Sequence, residues 1–247
     1  MSDPRTRLAA YLNQGLLPDL VRAYEALGLL RAFGEYSEVL REGSRVLLFE
    51  SLQRALYEQY VLAVAKMFDR PRGYELRSIP QALDLIRSNA TVLRIEQRPN
   101  LLLRLERAGM DISAIGGLSD PQITEALVAF FDARLPTPDS HAADPLCRYL
   151  DAVKVRRDKM VAHNEHVSSD VAPNLRWSEA EELVRFAEQF LSAVSFGYTS
   201  LVIDSGSDQQ TFLRTDAERA AHQLRILLWK AGLIPDPRLG HLTRRCS

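Results

Sequence analysis

The chain has only two cysteines among its 247 residues, Cys147 and Cys246, and they lie far apart. Such a pair forms neither a disulfide framework nor a cysteine-based zinc site. No apolar segment follows a basic start, so we expect no signal peptide. The apolar runs are also too short to span a bilayer. These absences predict a protein of the reducing cytoplasm with no role in the membrane.

Net charge is nearly absent as well, because 31 Lys and Arg residues face 32 Asp and Glu residues. No overall positive field would attract nucleic acid, so any such binding must use a local patch. The glycine-rich phosphate loop and the HExxH and GxSxG motifs are all missing. The sequence therefore excludes several common enzyme classes and indicates neither a metal site nor a cofactor.

What the sequence does contain is a series of helix signals. Apolar residues recur with a period of 3.6 in segment after segment, and alternating strand patterns are absent. Capping signals mark several helix starts; they are Asp3–Pro4, Ser78 with Gln81, Asp120–Pro121, and Ser178 with Glu181. Helices are predicted at about 4–13, from Pro18 onward, and at 44–68, 79–88, 92–108, 121–131, 145–165, 178–198 and 216–231. The sequence predicts an all-α fold, a helical bundle with N- and C-terminal helical extensions.

One short run carries most of the side chains that could perform chemistry. Residues 156–166 read RRDKMVAHNEH, which places two arginines, a lysine and two histidines in a segment that otherwise resembles a core helix. An apolar stripe runs along one face of that helix, at about 100° per residue; it comprises Leu146, Tyr149, Leu150, Val153 and Met160. Arg157 and Asn164 fall near the centre of this face. We expect the stripe to be a dimer face with His163 at its rim.

Two interpretations of Arg157 are open, because a buried charge is costly unless it is paired. Either Arg157 meets an anionic group in a cleft or interface, or it is structural and pairs with an acidic residue of a neighbouring helix. Asp69 and Arg70, which follow the helix at 44–68, are expected to form an ion pair at that helix end.

His163 also has two interpretations. The like charge of the neighbouring arginines and lysine disfavours a proton on His163, so that it would be a neutral general base near pH 7; alternatively, it is a histidine at a helix end with no role. His163 and His166 also form an HxxH pair, but two histidines alone do not complete a metal site.

The segment from Arg157 to His163, RDKMVAH, resembles the signature of the HEPN superfamily (higher eukaryotes and prokaryotes nucleotide-binding), an Arg followed by a polar residue and then by a His. Residues 49–86, including Phe68-Asp69-Arg70, are similar to the first helix and turn of the AbiU-type abortive-infection branch. The similarity covers about residues 44–204. It predicts an N-terminal extension at 1–43, a HEPN-like bundle at 44–204 and a C-terminal extension at 205–247.

The resemblance implies a homodimer and, for many members, a metal-independent endoribonuclease of toxin–antitoxin or phage-defence systems. His163 would take the proton from an RNA 2′-hydroxyl, and Arg157 would stabilise charge on the phosphate. Supporting or RNA-binding roles would fall to Arg156, Asp158, Lys159, Asn164 and His166. An antitoxin or a nucleotidyltransferase would be a further partner. The alternative that the resemblance allows is a non-catalytic module that binds a partner protein or a nucleotide.

The spacing of the two catalytic candidates raises a geometric difficulty. Arg157 and His163 project about 120° apart on a regular helix. They converge only if the helix ends or tightens there, or if a partner subunit supplies one of them. Arg156 lies on the same side as His163 and is the alternative for the arginine role.

Overall fold

The structure is a computed structural model that describes residues 3–41, 46–70, 76–135, 145–162, 177–199 and 209–237. In these ranges the regular structure is helical and no strand is present, which confirms the predicted all-α class. The helices are α1 (Pro4–Tyr11), α2 (Leu17–Glu35), α3 (Ser37–Arg41), α4 (Val46–Phe68), α5 (Ile79–Ser88), α6 (Arg98–Arg107), α7 (Asp120–Arg134), α8 (Pro145–Ala162), α9 (Trp177–Tyr198) and α10 (Gln209–Lys230). None of the described helices is both long and apolar enough to cross a membrane.

Local capping chemistry explains several of the helix starts. The Asp3 carboxylate accepts the Thr6 N–H at 3.2 Å, and the Ser78 hydroxyl accepts the Gln81 N–H at 3.5 Å. Both contacts confirm predicted N-caps. The Gln81 side chain accepts the Leu76 N–H rather than that of Ser78, so the predicted reciprocal box is only half formed.

The first two predicted helices are joined rather than separate. A π-helical segment, Leu12–Leu16, connects α1 to α2, and no break precedes Pro18. Gly15 lies in this segment against Arg77, where an added Cβ would overlap the Arg77 Cβ. Long-range packing therefore accompanies a backbone form that the sequence pattern did not reveal.

Four other helix starts differ from prediction. α6 begins at Arg98 rather than near 92, and α10 begins at Gln209 rather than near 216. The N-cap of α7 is Ser119, one residue before the predicted Asp120. At α9 the helix already includes Trp177, so Ser178 lies inside it and its hydroxyl contacts Glu179 instead of capping.

Packing divides the chain into two compact units, the first comprising Met1–Leu20 and Val61–Gln210, the second Val21–Tyr60 and Thr211–Ser247. These units reflect packing; the division at residues 44 and 204 came from the family resemblance and stays a prediction. The second unit has its own apolar core, formed by Phe33, Leu40, Phe49, Leu228 and Ile234.

The core of the first unit is centred on α9, which packs against α6 and α8. Phe131 of α7 meets Phe186 and Phe190 of α9 edge to face, with centroids 5.8 and 5.3 Å apart. Phe68, the last residue of α4, is 2% exposed and packs on Phe186 at 5.8 Å. The aromatic core thereby holds the C-terminal end of α4, which is one side of the site described next.

Candidate functional site at the end of helix α8

Helix α8 is anchored to the protein by its apolar stripe. Leu150 and Val153 are 1% and 0% exposed, and Tyr149 is buried as well, on a helix that packs against α9. These three residues therefore belong to the core of this chain. Our expectation that the stripe forms a dimer face is wrong for these residues, because the same chain already covers them.

Arg157 continues the buried face toward the end of α8, and its side chain is 23% exposed. Its Nη1 donates to Oδ2 of Asp69, which is 22% exposed, in an ion pair between α8 and the residue that follows α4. Its Nε and Nη2 lie 2.8 and 2.7 Å from Oδ1 of Asp158. Arg157 is therefore paired with an acidic residue beyond another helix, as the structural interpretation expected.

Asp69 does not form the expected pair at its own helix end. Its ion pair is with Arg157, which lies 88 residues away in sequence. The reason is the position of Phe68, whose buried ring fixes the last turn of α4 in the aromatic core. The next residue is thereby placed where its carboxylate reaches α8.

Lys154 makes a second connection between the same two elements. It lies three residues before Arg157, and its Nζ donates to the main-chain oxygen of Phe68 at 3.2 Å. Carbonyl groups at a helix C-terminus lack helical partners and carry partial negative charge, so a lysine there is favourable. Helix α8 is thus fastened to two consecutive residues, Phe68 and Asp69.

Burial and the neighbouring carboxylates have opposite effects on the pKa values of the two cations, Arg157 and Lys154. Burial opposes the charge on Arg157, but the hydrogen bond to Asp158 and the charges of Asp69 and Asp158 outweigh it and raise the pKa of Arg157. Burial lowers the pKa of Lys154, and the charges of Asp69 and Asp151 partly offset this effect. One guanidinium faces two carboxylates, so Arg157, Asp69 and Asp158 together carry one negative charge.

The other candidate residues divide into two groups. Arg156 and Lys159 lie on α8 and are both half-buried. His163, Asn164 and His166 lie outside the described residues, which on this element end at Ala162. Of the predicted site residues, the structure brings Arg157 and Asp158 together, and it adds Asp69 to them.

Sequence reasoning did not identify Lys154 as a site residue, and it assigned Asp69 the wrong partner. A signal for Lys154 was present, because it lies one helical turn before Arg157 on the same side of α8. No local signal pointed to the pairing of Asp69 with Arg157, since it depends on how α4 and α8 pack. Within the described residues, no group of three or more His, Cys, Asp or Glu side chains is arranged to hold a metal ion.

Comparison with known protein families identifies the family of this chain. The model of the HEPN AbiU2 family matches residues 6–224. The chain belongs to this family. The match is wider than the 44–204 expected from the sequence and takes in most of α1, all of α2 and much of α10. Comparisons with curated proteins and with solved structures gave no match. In this HEPN chain the arginine of the segment RDKMVAH, together with Lys154, joins α8 to the end of α4.

Proposed function

We propose that this HEPN protein is a metal-independent endoribonuclease of a toxin–antitoxin or abortive-infection system. The observation that carries the proposal is the AbiU2 family match, which includes the segment RDKMVAH at the end of α8. Arg157 of that segment lies partly exposed at the end of a buried stripe, and Arg156 and Lys159 add positive charge on the same helix. This local patch is what a chain without net positive charge would need for RNA binding.

In the proposed reaction, His163 removes the proton from an RNA 2′-hydroxyl. The freed oxygen attacks the adjacent phosphorus, an O2′–P bond forms, and the P–O5′ bond breaks. The leaving O5′ takes up a proton, which gives a 2′,3′-cyclic phosphate and a 5′-hydroxyl end. Arg157 stabilises the added negative charge on the phosphorane. Arg156 and Lys159 hold flanking phosphates, and Asn164 and His166 complete the RNA-binding surface.

A homodimer is part of the proposal because of the motif's geometry. α8 is helical through Ala162, the residue before His163. On such a helix Arg157 and His163 point about 120° apart. Two copies of the motif, one from each subunit, would place the arginine of one beside the histidine of the other. The dimer surface must lie outside the buried stripe of α8. The cytoplasm is the proposed compartment, with an antitoxin or nucleotidyltransferase as the proposed regulator.

A chemical test of the reaction class compares an RNA with the same sequence carrying 2′-O-methyl groups, in the presence of EDTA. The proposal predicts that the RNA alone is cut, into fragments with 2′,3′-cyclic phosphate and 5′-hydroxyl ends. Cleavage of the methylated strand, loss of cleavage in EDTA, or no cleavage across RNAs of varied sequence and structure would each contradict it.

The second candidate is a non-catalytic HEPN module that binds a partner protein or a nucleotide. The double pairing of Arg157 with Asp69 and Asp158 favours it, because a structural arginine would be held in this way. If this second candidate is correct, Arg157→Ala and His163→Ala will change only the binding of the partner. Neither the wild type nor any variant will then cleave RNA.

A further inference from the structure

Both hydrogen-bonding edges of the Arg157 guanidinium are already engaged by carboxylates. Asp158 takes the edge formed by Nε and Nη2, and Asp69 takes Nη1. A phosphate is normally bound by an arginine through two parallel N–H donors. Asp158 occupies one such pair and Asp69 accepts from Nη1 of the other, so an RNA phosphate that binds Arg157 through two donors competes with a carboxylate.

The two carboxylates differ in how firmly they are held. Asp158 is 65% exposed and adjacent to Arg157 on the same helix, so water screens its charge and solvates it readily. Asp69 is 22% exposed and comes from a different element. Asp69 is therefore the principal internal counter-ion of Arg157, and it occupies the position that a phosphate needs.

A place for the displaced carboxylate exists beside the pair. Lys154 Nζ donates to the main-chain oxygen of Phe68, the residue directly before Asp69. An ammonium group has three donors, so Lys154 can also bind the Asp69 side chain. The charge of Asp69 already offsets part of the lowering of the Lys154 pKa that burial causes.

We propose that Asp69 and Lys154 are further residues of the RNA-binding step: Asp69 is the counter-ion that an RNA phosphate displaces from Arg157, and Lys154 receives the displaced carboxylate. This inference rests on the proposed function. In the resting protein the Asp69 contact holds Arg157 away from phosphate. RNA then exchanges one anionic partner of Arg157 for another, while Lys154 keeps α8 fastened to the end of α4.

The test measures binding of a single-stranded 2′-O-methyl RNA oligonucleotide, which cannot undergo 2′-hydroxyl attack, by fluorescence anisotropy. Asp69→Asn removes the competing charge and should tighten binding roughly tenfold at low salt. It should also steepen the slope of log K against log salt by about 0.7, because binding to an Arg157 that lacks the Asp69 counter-ion releases one more counterion. Lys154→Met should weaken binding, and by less in the Asp69→Asn background than in the wild type.

Asp132→Asn is a closely matched control. Asp132 is the partner, on another helix, of Arg87, which also pairs with Asp84 on its own helix. This arrangement repeats that of Asp69, Arg157 and Asp158 at a place far from the motif in sequence. The affinity of Asp132→Asn for RNA and the salt dependence of its binding should therefore equal those of the wild type. Asp158→Asn provides a second variant with an exposed side chain, and its binding should tighten less than that of Asp69→Asn.

Two results would overturn the inference in distinguishable ways. If the wild type binds or cleaves RNA through Arg157 but folded Asp69→Asn binds no more tightly, the counter-ion inference alone fails. If neither the wild type nor Asp69→Asn binds RNA, the proposed function fails with it. If Asp69→Asn does not fold, Asp158→Asn and Lys154→Met test the inference in its place. Unchanged affinity for RNA in both variants would contradict the exchange of Asp69 for phosphate.

Discussion

Arg157 of α8 donates a hydrogen bond to the carboxylate of Asp69, a residue 88 positions earlier that directly follows α4. The contact is three-quarters buried on both sides, which makes it more than a solvent-exposed pair. It couples the arginine of the HEPN motif to the aromatic core, because the neighbouring Phe68 packs on Phe186. The geometry of α4 therefore sets the position of a proposed catalytic side chain.

Mixing two inactive variants tests whether the site is shared between subunits. The 120° separation on a regular helix places Arg157 and His163 in different subunits of the proposed dimer. When Arg157→Ala and His163→Ala proteins are unfolded together and refolded as a mixture, half of the dimers are mixed, and each mixed dimer has one intact site. We expect about a quarter of the wild-type cleavage rate to return.

The contrary result in that experiment is also clear. If mass measurements show mixed dimers but the rate stays at the level of the separate variants, Arg157 and His163 act within one chain. The helix would then have to end or tighten beyond Ala162, and the shared-site geometry would be wrong.

Close packing at Gly15 provides a prediction about stability. An alanine Cβ at this position would overlap Arg77, so Gly15→Ala should lower the free energy of unfolding by about 1–3 kcal/mol. Gly34 is the matched control, since it is exposed in α2 and nothing lies within 4 Å of an added Cβ. Gly34→Ala should raise the free energy of unfolding by about 0.5–1 kcal/mol. Urea denaturation of both variants measures these changes, and equal effects would contradict this account of the π-helical segment.

The helix pattern was predictable because it depends on local periodicity and capping, as at Asp3 and Ser78. Gly232 also ends the last helix as predicted, with a φ of +69° that favours glycine. The π-helical segment was not predictable, since it coincides with a contact to Arg77 that is distant in sequence. The offset at Ser178 shows that a capping pattern alone does not fix a helix start.

The candidate site was predictable to a different extent. The helical projection identified Arg157 as the residue that interrupts the buried stripe, and it left open whether Arg157 would meet an anionic group in a cleft or an acidic partner on a neighbouring helix. It could not identify Asp69 as that partner, because the pairing depends on the packing of α4 against the core. It also took the apolar stripe for a dimer face, since periodicity shows which face is buried but not which chain buries it.

The buried tyrosine Tyr198 predicts how stability depends on pH. Burial and the charge of Asp120 raise the pKa of Tyr198 to about 12, although its hydrogen bond to Thr124, 2.8 Å long, acts in the opposite direction. Between about pH 10 and pH 12 the folded protein keeps a proton that the unfolded chain loses. The stabilisation is complete below pH 10 and disappears as the pH rises through 12, a loss of about 3 kcal/mol.

Tyr198→Phe isolates this contribution. At neutral pH the variant should be less stable by about 1 kcal/mol, because the hydrogen bond to Thr124 is lost. Its free energy of unfolding should fall less steeply than that of the wild type between pH 10 and 12, as followed by urea denaturation at each pH. Parallel curves for the two proteins would show that Tyr198 does not carry the effect.

The most direct test of the central claim is the single-turnover rate of RNA cleavage in EDTA, measured for the wild type, Arg157→Ala, His163→Ala and the control Arg87→Ala. Arg87, like Arg157, pairs with one carboxylate on its own helix and one on another element. We predict that Arg157→Ala and His163→Ala each lower the rate by about 10²-fold or more, whereas Arg87→Ala leaves it within about twofold. Equal rates in all four proteins, or no cleavage by the wild type, would contradict the assignment of ribonuclease activity to this motif.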